Sequence, residues 1–98
     1  MEYPDYENHE FYISSGMAES LYRLQEFDRS IEWLDKSIEI TKNNKEYPTA
    51  LFLKGYALYQ MGRNKDALDY INESISIEPS KQVIRGKEEI LKDMIYLS

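Results

Sequence analysis

The sequence predicts an all-α protein, an α-solenoid of antiparallel helix pairs with about five helices, and three observations point to it. The chain repeats itself without a gap at an offset of 37 residues: Tyr22 falls on Tyr59, Leu24 on Met61, Trp33 on Tyr70, Leu34 on Ile71, Ser37 on Ser74, Ile38 on Ile75 and Ile40 on Ile77. A period between about 20 and 50 residues marks a repeat architecture, in which each unit buries its face against the next. Within each copy the apolar residues recur at three- and four-residue steps, the spacing of one helix face. Finally, 98 residues with 42% hydrophobic and 31% charged side chains suit one small globular domain and not a disordered segment.

Residues 1–9 place Pro4 among alternating acids and tyrosines, show no helical period and read as an acidic N-terminal arm. Residues 10–98 form the domain. A first helix is expected from about Glu10 to Leu24, carried by Phe11, Ile13, Met17, Ala18, Leu21 and Leu24. Gln25, Glu26 and Phe27 make a tight connection. The second helix, about Asp28 to Thr41, has Ile31, Leu34, Ile38 and Thr41 on one face, and Asp28 suits its positive start. Residues 42–48 are turn-rich and charged.

Pro48 suits the first position of a third helix, where its missing N–H would be unpaired anyway. That helix runs to about Gln60, with Leu51, Gly55, Leu58 and Met61 as its packing row. Gly62 stands where a helix end favours a left-handed residue. Asn64 is placed to cap a fourth helix with the face Ala67, Leu68, Ile71 and Ile75, and Pro79 ends it. Ser80 offers an N-cap to a fifth helix, 81–97. Its positions Val83, Ile84, Lys87 (stem only), Ile90, Leu91, Met94 and Ile95 form one stripe.

Several function classes lose support. A formal charge of −6 argues against nucleic acid, whose binding depends on basic residues neutralising phosphates. No apolar run approaches the roughly 20 residues of a membrane span, so no membrane partner is expected. Cysteine is absent, which excludes disulfides and thiolate-based zinc sites. The N-terminus has no signal-peptide pattern, which favours the cytoplasm. His9, the only histidine, lies among acids and reads as solvated. Gly16, Gly55, Gly62 and Gly86 are isolated, so there is no phosphate loop. The acids Glu88, Glu89 and Asp93 read as a charged outer face and not as metal ligands. No catalytic residue, metal or cofactor is expected, and the chain does not read as an enzyme.

The repeat resembles the tetratricopeptide repeat, a helix-turn-helix unit of about 34 residues. Counted from Pro48, the second copy has Leu51, Gly55, Leu58, Ala67, Ile71, Ser74 and Pro79 at the family's patterned positions, with Ser74 for the usual alanine. Small residues there let the two helices approach, and large ones fill the space beside them. Counted from Phe11, the first copy is more degenerate. It has Ser14 where a large apolar residue is usual, then Ala18, Leu21, Ser30, Leu34 and Ser37, and Lys42 where proline is usual. The resemblance divides the domain into repeat one, 11–44, repeat two, 48–81, and a capping helix, 81–97.

The resemblance also implies a function. In this family the first helix of each repeat lines a concave groove, and the corresponding side chains here include Tyr12, Glu19, Tyr22 and Arg23, then Phe52, Tyr56, Tyr59 and Gln60. The aromatic residues of the second set lie off the packing row of Leu51, Gly55 and Leu58. An aromatic-lined groove suits a peptide or helix of another protein. The expected partner is therefore another protein or peptide, bound without chemistry. The alternative is a self-associating assembly unit, such as a homodimer, whose groove is filled by its own arm or a second copy. A competing reading of the rings has them covered by the last helix, the arm or a second subunit. The family's carboxylate clamp for chaperone C-terminal tails needs basic and amide side chains where this chain has Ser15, Glu19, Leu53 and Val83. That argues against a chaperone tail.

Overall fold

The computed structural model describes residues 6–97, with side chains from His9 to Tyr96. It contains five helices: α1 Tyr6–Arg23, α2 Phe27–Thr41, α3 Tyr47–Gln60, α4 Asn64–Ile77 and α5 Lys81–Leu97. No strand occurs among the described residues, and none of their helices is long and apolar enough to cross a membrane. Residues 1–5 of the expected arm lie outside the described residues. The rest of that arm is helical, because α1 starts at Tyr6 and not near Glu10, which puts His9 on an exposed helix surface. The chain falls into two compact units, Met1–Ala50 and Leu51–Ser98.

In the first unit α1 packs on α2. Phe11, Ala18, Leu21 and Leu34 are buried, as the helical spacing predicts, whereas Ile13, Met17 and Leu24 of the expected first-helix row are exposed. The crossing is made close by serine. Ser30, 1% exposed, donates its hydroxyl hydrogen to the Ala18 carbonyl oxygen at 2.8 Å. One turn away, Ser14 and Ser37 are also buried and their hydroxyl oxygens lie 2.6 Å apart. Each of these two also reaches a carbonyl of its own helix, Phe11 and Trp33 respectively, both at 3.1 Å. A buried hydroxyl with a partner costs little, whereas one without would be expensive. Ser14 therefore replaces the missing bulk of repeat one with a polar pair that spans the helices.

In the second unit the crossing of α3 and α4 is made close by a glycine. A Cβ added at Gly55 would stand 2.7 Å from Ile71 Cγ1, 3.0 Å from the Ala67 carbonyl oxygen and 3.3 Å from Tyr70 Cβ. Leu51, Leu58, Ala67 and Ile71 are all buried. Beside them Lys54, 9% exposed, donates to the Tyr70 hydroxyl at 2.8 Å, with its ammonium 4.4 Å from the ring centre. α5 packs on α4, and only part of its predicted stripe is covered. Val83 and Ile90 are buried, whereas Ile84, Leu91 and Ile95 are exposed. A helix with so wide an apolar stripe keeps part of it uncovered when its neighbours lie on one side.

The turns between paired helices are the same in both copies. After α1, the Gln25 N–H bonds the Tyr22 carbonyl at 2.9 Å and the Glu26 N–H bonds that of Leu21 at 2.9 Å. After α3, the Gly62 N–H bonds the Tyr59 carbonyl at 3.0 Å and the Arg63 N–H bonds that of Leu58 at 2.8 Å. This is the Schellman arrangement, which needs one left-handed residue. Gly62 supplies it with φ 85°, as expected, and Gln25 supplies it with φ 64° despite its side chain.

Helix starts depart from expectation. Asn64 is the first helical residue and not the cap; Arg63 takes that place without a side-chain cap bond, and Glu26 does so for α2. Each is instead tied to its first turn by an ion pair, Arg63 to Asp66 at 2.7 Å and Glu26 to Arg29 at 3.0 Å. Asp28 does lie in the first turn of α2, and the Ser80 hydroxyl receives the Val83 N–H at 3.5 Å. The end of α2, undefined by Lys42, is set by Asn44. Its N–H bonds the Thr41 carbonyl at 2.9 Å, and its side-chain oxygen receives the Glu46 N–H at 2.8 Å. Before Pro79, Glu78 is extended at φ −147° and ψ 101°, so α4 stops as predicted.

Candidate functional site

The residues expected to line a groove fall in two groups, one on α1 and one on α3. On α1, positions 12, 19 and 23 are seven and four apart and so share a helix face. Tyr12 is 63% exposed, its ring tilted against buried Phe11 at 5.4 Å between centres. Glu19 and Arg23, both exposed, form an ion pair at 2.8 Å. Tyr22 is half-buried and meets Phe27 edge-on at 5.2 Å. Phe27, the first residue of α2, thus braces the Tyr22 ring, a contact not anticipated from a residue assigned to the connection.

On α3, Phe52, Tyr56 and Tyr59 form one aromatic run, with ring centres 5.8 Å and then 5.6 Å apart. Spacing of four and three residues puts them on one face, as expected. The expectation that they stand clear of the packing is corrected. Phe52 is buried, 8% exposed, and its ring edge lies so near α5 that a Cβ at Gly86 would stand 2.9 Å from it. Gly86 is what lets α5 approach. Tyr59 is half-buried and donates its phenolic hydrogen to Asp93 Oδ2 on α5. That hydrogen bond, then burial, then the charge of Asp93, hold the Tyr59 hydroxyl protonated and push its pKa from 10.0 up to about 12. α5 thus contacts two of the three rings, Phe52 and Tyr59. Gln60, at the end of α3, is exposed.

Asp93 is one of the acids expected on a charged outer face, and its partnership with Tyr59 goes beyond that expectation. The signal in the sequence is weak: a carboxylate one turn beyond Ile90 on the stripe that α5 buries. Among the described residues no three His, Cys, Asp or Glu side chains gather as metal ligands.

The pairing of a small residue in each first helix with a small residue in its partner, Ala18 with Ser30 and Gly55 with Ala67, is therefore realised twice. Residues 10–79 match the sequence profile of the tetratricopeptide repeat, more than half of the chain. The chain belongs to the tetratricopeptide repeat family. No curated protein and no solved structure matches it. Tetratricopeptide repeats generally mediate protein–protein interaction and are generally non-catalytic. Within this family's pattern, repeat two keeps the apolar and glycine positions, while repeat one substitutes buried hydroxyls.

Proposed function

We propose that this tetratricopeptide protein binds a segment of another protein, without catalysis, along the face of α1 that carries Tyr12, Glu19, Tyr22 and Arg23. The observation that carries the reading is the state of Tyr12. A large ring left 63% exposed, on a helix that also leaves Ile13 and Met17 exposed, offers contact area at low entropic cost. Tyr22 extends the surface along the helix and is already held by Phe27, so little freedom is lost on binding. The Glu19–Arg23 pair would orient a ligand by charge, each partner being exposed enough to exchange one ion for another. On α3, Gln60 is exposed and could join such a contact, whereas Phe52 lies beneath α5.

The test is a peptide-display selection on the folded protein, followed by titration of the selected peptide against Tyr12→Ala and Tyr22→Ala. Each substitution is expected to weaken binding by about tenfold or more, in the range of an aromatic contact residue, while circular dichroism stays unchanged. Peptides that bind both variants as tightly as the native protein would remove α1 as the contact surface.

A further inference from the structure

α5 has a second face that stays largely exposed. Val83, Gly86 and Ile90 are buried, and on the other side Ile84, Leu91 and Ile95 remain 40%, 40% and 73% exposed. Steps of seven and four residues put these three on one row. Beside it runs a second exposed row, Lys81, Arg85, Glu88 and Lys92, at steps of four, three and four. Three cations and one acid border the apolar row, in a protein whose formal charge is −6. The local charge is opposite to that of the molecule.

The spacing has a counterpart inside the same unit. On α3, Leu51, Gly55 and Leu58 stand at steps of four and three and receive α4. On α5, Ile84, Glu88 and Leu91 stand at the same steps. α5 therefore carries the kind of row on which α3 seats a helix. With Glu88 in place of a glycine, the seated helix must cross further out than α4 does, where flanking charges reach one another.

We propose that this face of α5 docks an acidic amphipathic helix of another protein, laid along α5 as α4 lies along α3. Its apolar row would cover Ile84, Leu91 and Ile95, and its carboxylates would meet Lys81, Arg85 and Lys92. A second copy of α5 is the poorer occupant, because it brings Arg85 and Lys92 against the same cations. The proposal rests on residues of α5 alone and uses none of those on α1, so either reading stands if the other fails.

The experiment uses two synthetic amphipathic helices with the same leucine row, one flanked by glutamates and one by lysines, titrated against the full chain by fluorescence anisotropy. The acidic helix is expected to bind about tenfold or more tighter than the basic one, and to weaken as salt is raised. Leu91→Glu should abolish binding with an unchanged circular dichroism spectrum, since Leu91 is exposed. Arg85→Glu combined with Lys92→Glu should reverse the preference between the two helices. Equal binding of both helices, or full binding by the Leu91→Glu variant, would overturn the proposal. So would a native protein that sediments as a dimer where Leu91→Glu is a monomer, which would give the face to a second copy.

Discussion

Ser14 and Gln25 are two residues at which the first copy departs from the second, and each departure has a physical account. Family preference alone would put a leucine at 14. The Ser14 hydroxyl lies 2.6 Å from that of Ser37 in a buried crossing, which leaves no room for a larger side chain. Ser14→Leu is therefore expected to lower stability by about 1–3 kcal/mol through overpacking, read as a fall in Tm; a rise would mean the site has slack. Gln25 is the reverse case. It holds φ 64° in the turn where its counterpart is Gly62, and a left-handed conformation costs a side-chain-bearing residue about 1 kcal/mol or more. Gln25→Gly should raise stability by up to about 1 kcal/mol, a few degrees in Tm, whereas Gly62→Gln should lower it by a similar amount. Gly62 is legible in the sequence because glycine names its own conformation. Gln25 is not, because the demand comes from the turn geometry and not from the residue. The serine pair is hidden for a related reason: spacing reveals which face is buried but not whether two hydroxyls on different helices will meet.

The helices themselves are the most legible level. All five lie within a few residues of their expected bounds, since apolar steps of three and four, Pro79 and Gly62 are local signals. The role of α5 is less open to reading. Its apolar stripe is visible, but which part faces α3 depends on where Gly86 permits close approach to Phe52, and that is a property of the packed pair. The bond from Tyr59 to Asp93 gives this contact a measurable signature. The Tyr59 pKa is raised from 10.0 to about 12, so the folded state favours the protonated phenol. Its contribution is complete below about pH 10, where the phenol is protonated in both folded and unfolded chains, and is lost as pH climbs from 10 towards 12. The stability difference between native protein and Tyr59→Phe should accordingly shrink across that window. A difference that stays constant to pH 12 would show that the hydroxyl is not bonded in solution. Near neutral pH, Tyr59→Phe should cost about 1 kcal/mol, the usual worth of one such bond.

For the whole molecule, repeat arithmetic is enough to reach the family, because an offset of 37 residues that also matches the small positions is what stacked helix pairs require. The partner is not legible, since a groove is defined by what it leaves uncovered, and covering is decided by packing. Closure by α5 is expected to be essential. A chain ending at Ser80 would lose the cover over Phe52 and should melt without cooperativity or aggregate, as followed by circular dichroism and light scattering. Cooperative melting of that truncated chain would show that α5 is dispensable. The seating of Phe52 under Gly86 has a further consequence for affinity. Any ligand that sought the Phe52 and Tyr59 rings would have to displace α5 from them, so α5 behaves there as a tethered competitor. If α5 were released in about one molecule in a hundred, the apparent Kd at those rings would be about a hundredfold weaker than the intrinsic one. Loosening α5, for example by a bulkier residue in place of Gly86, would then convert lost stability into gained binding.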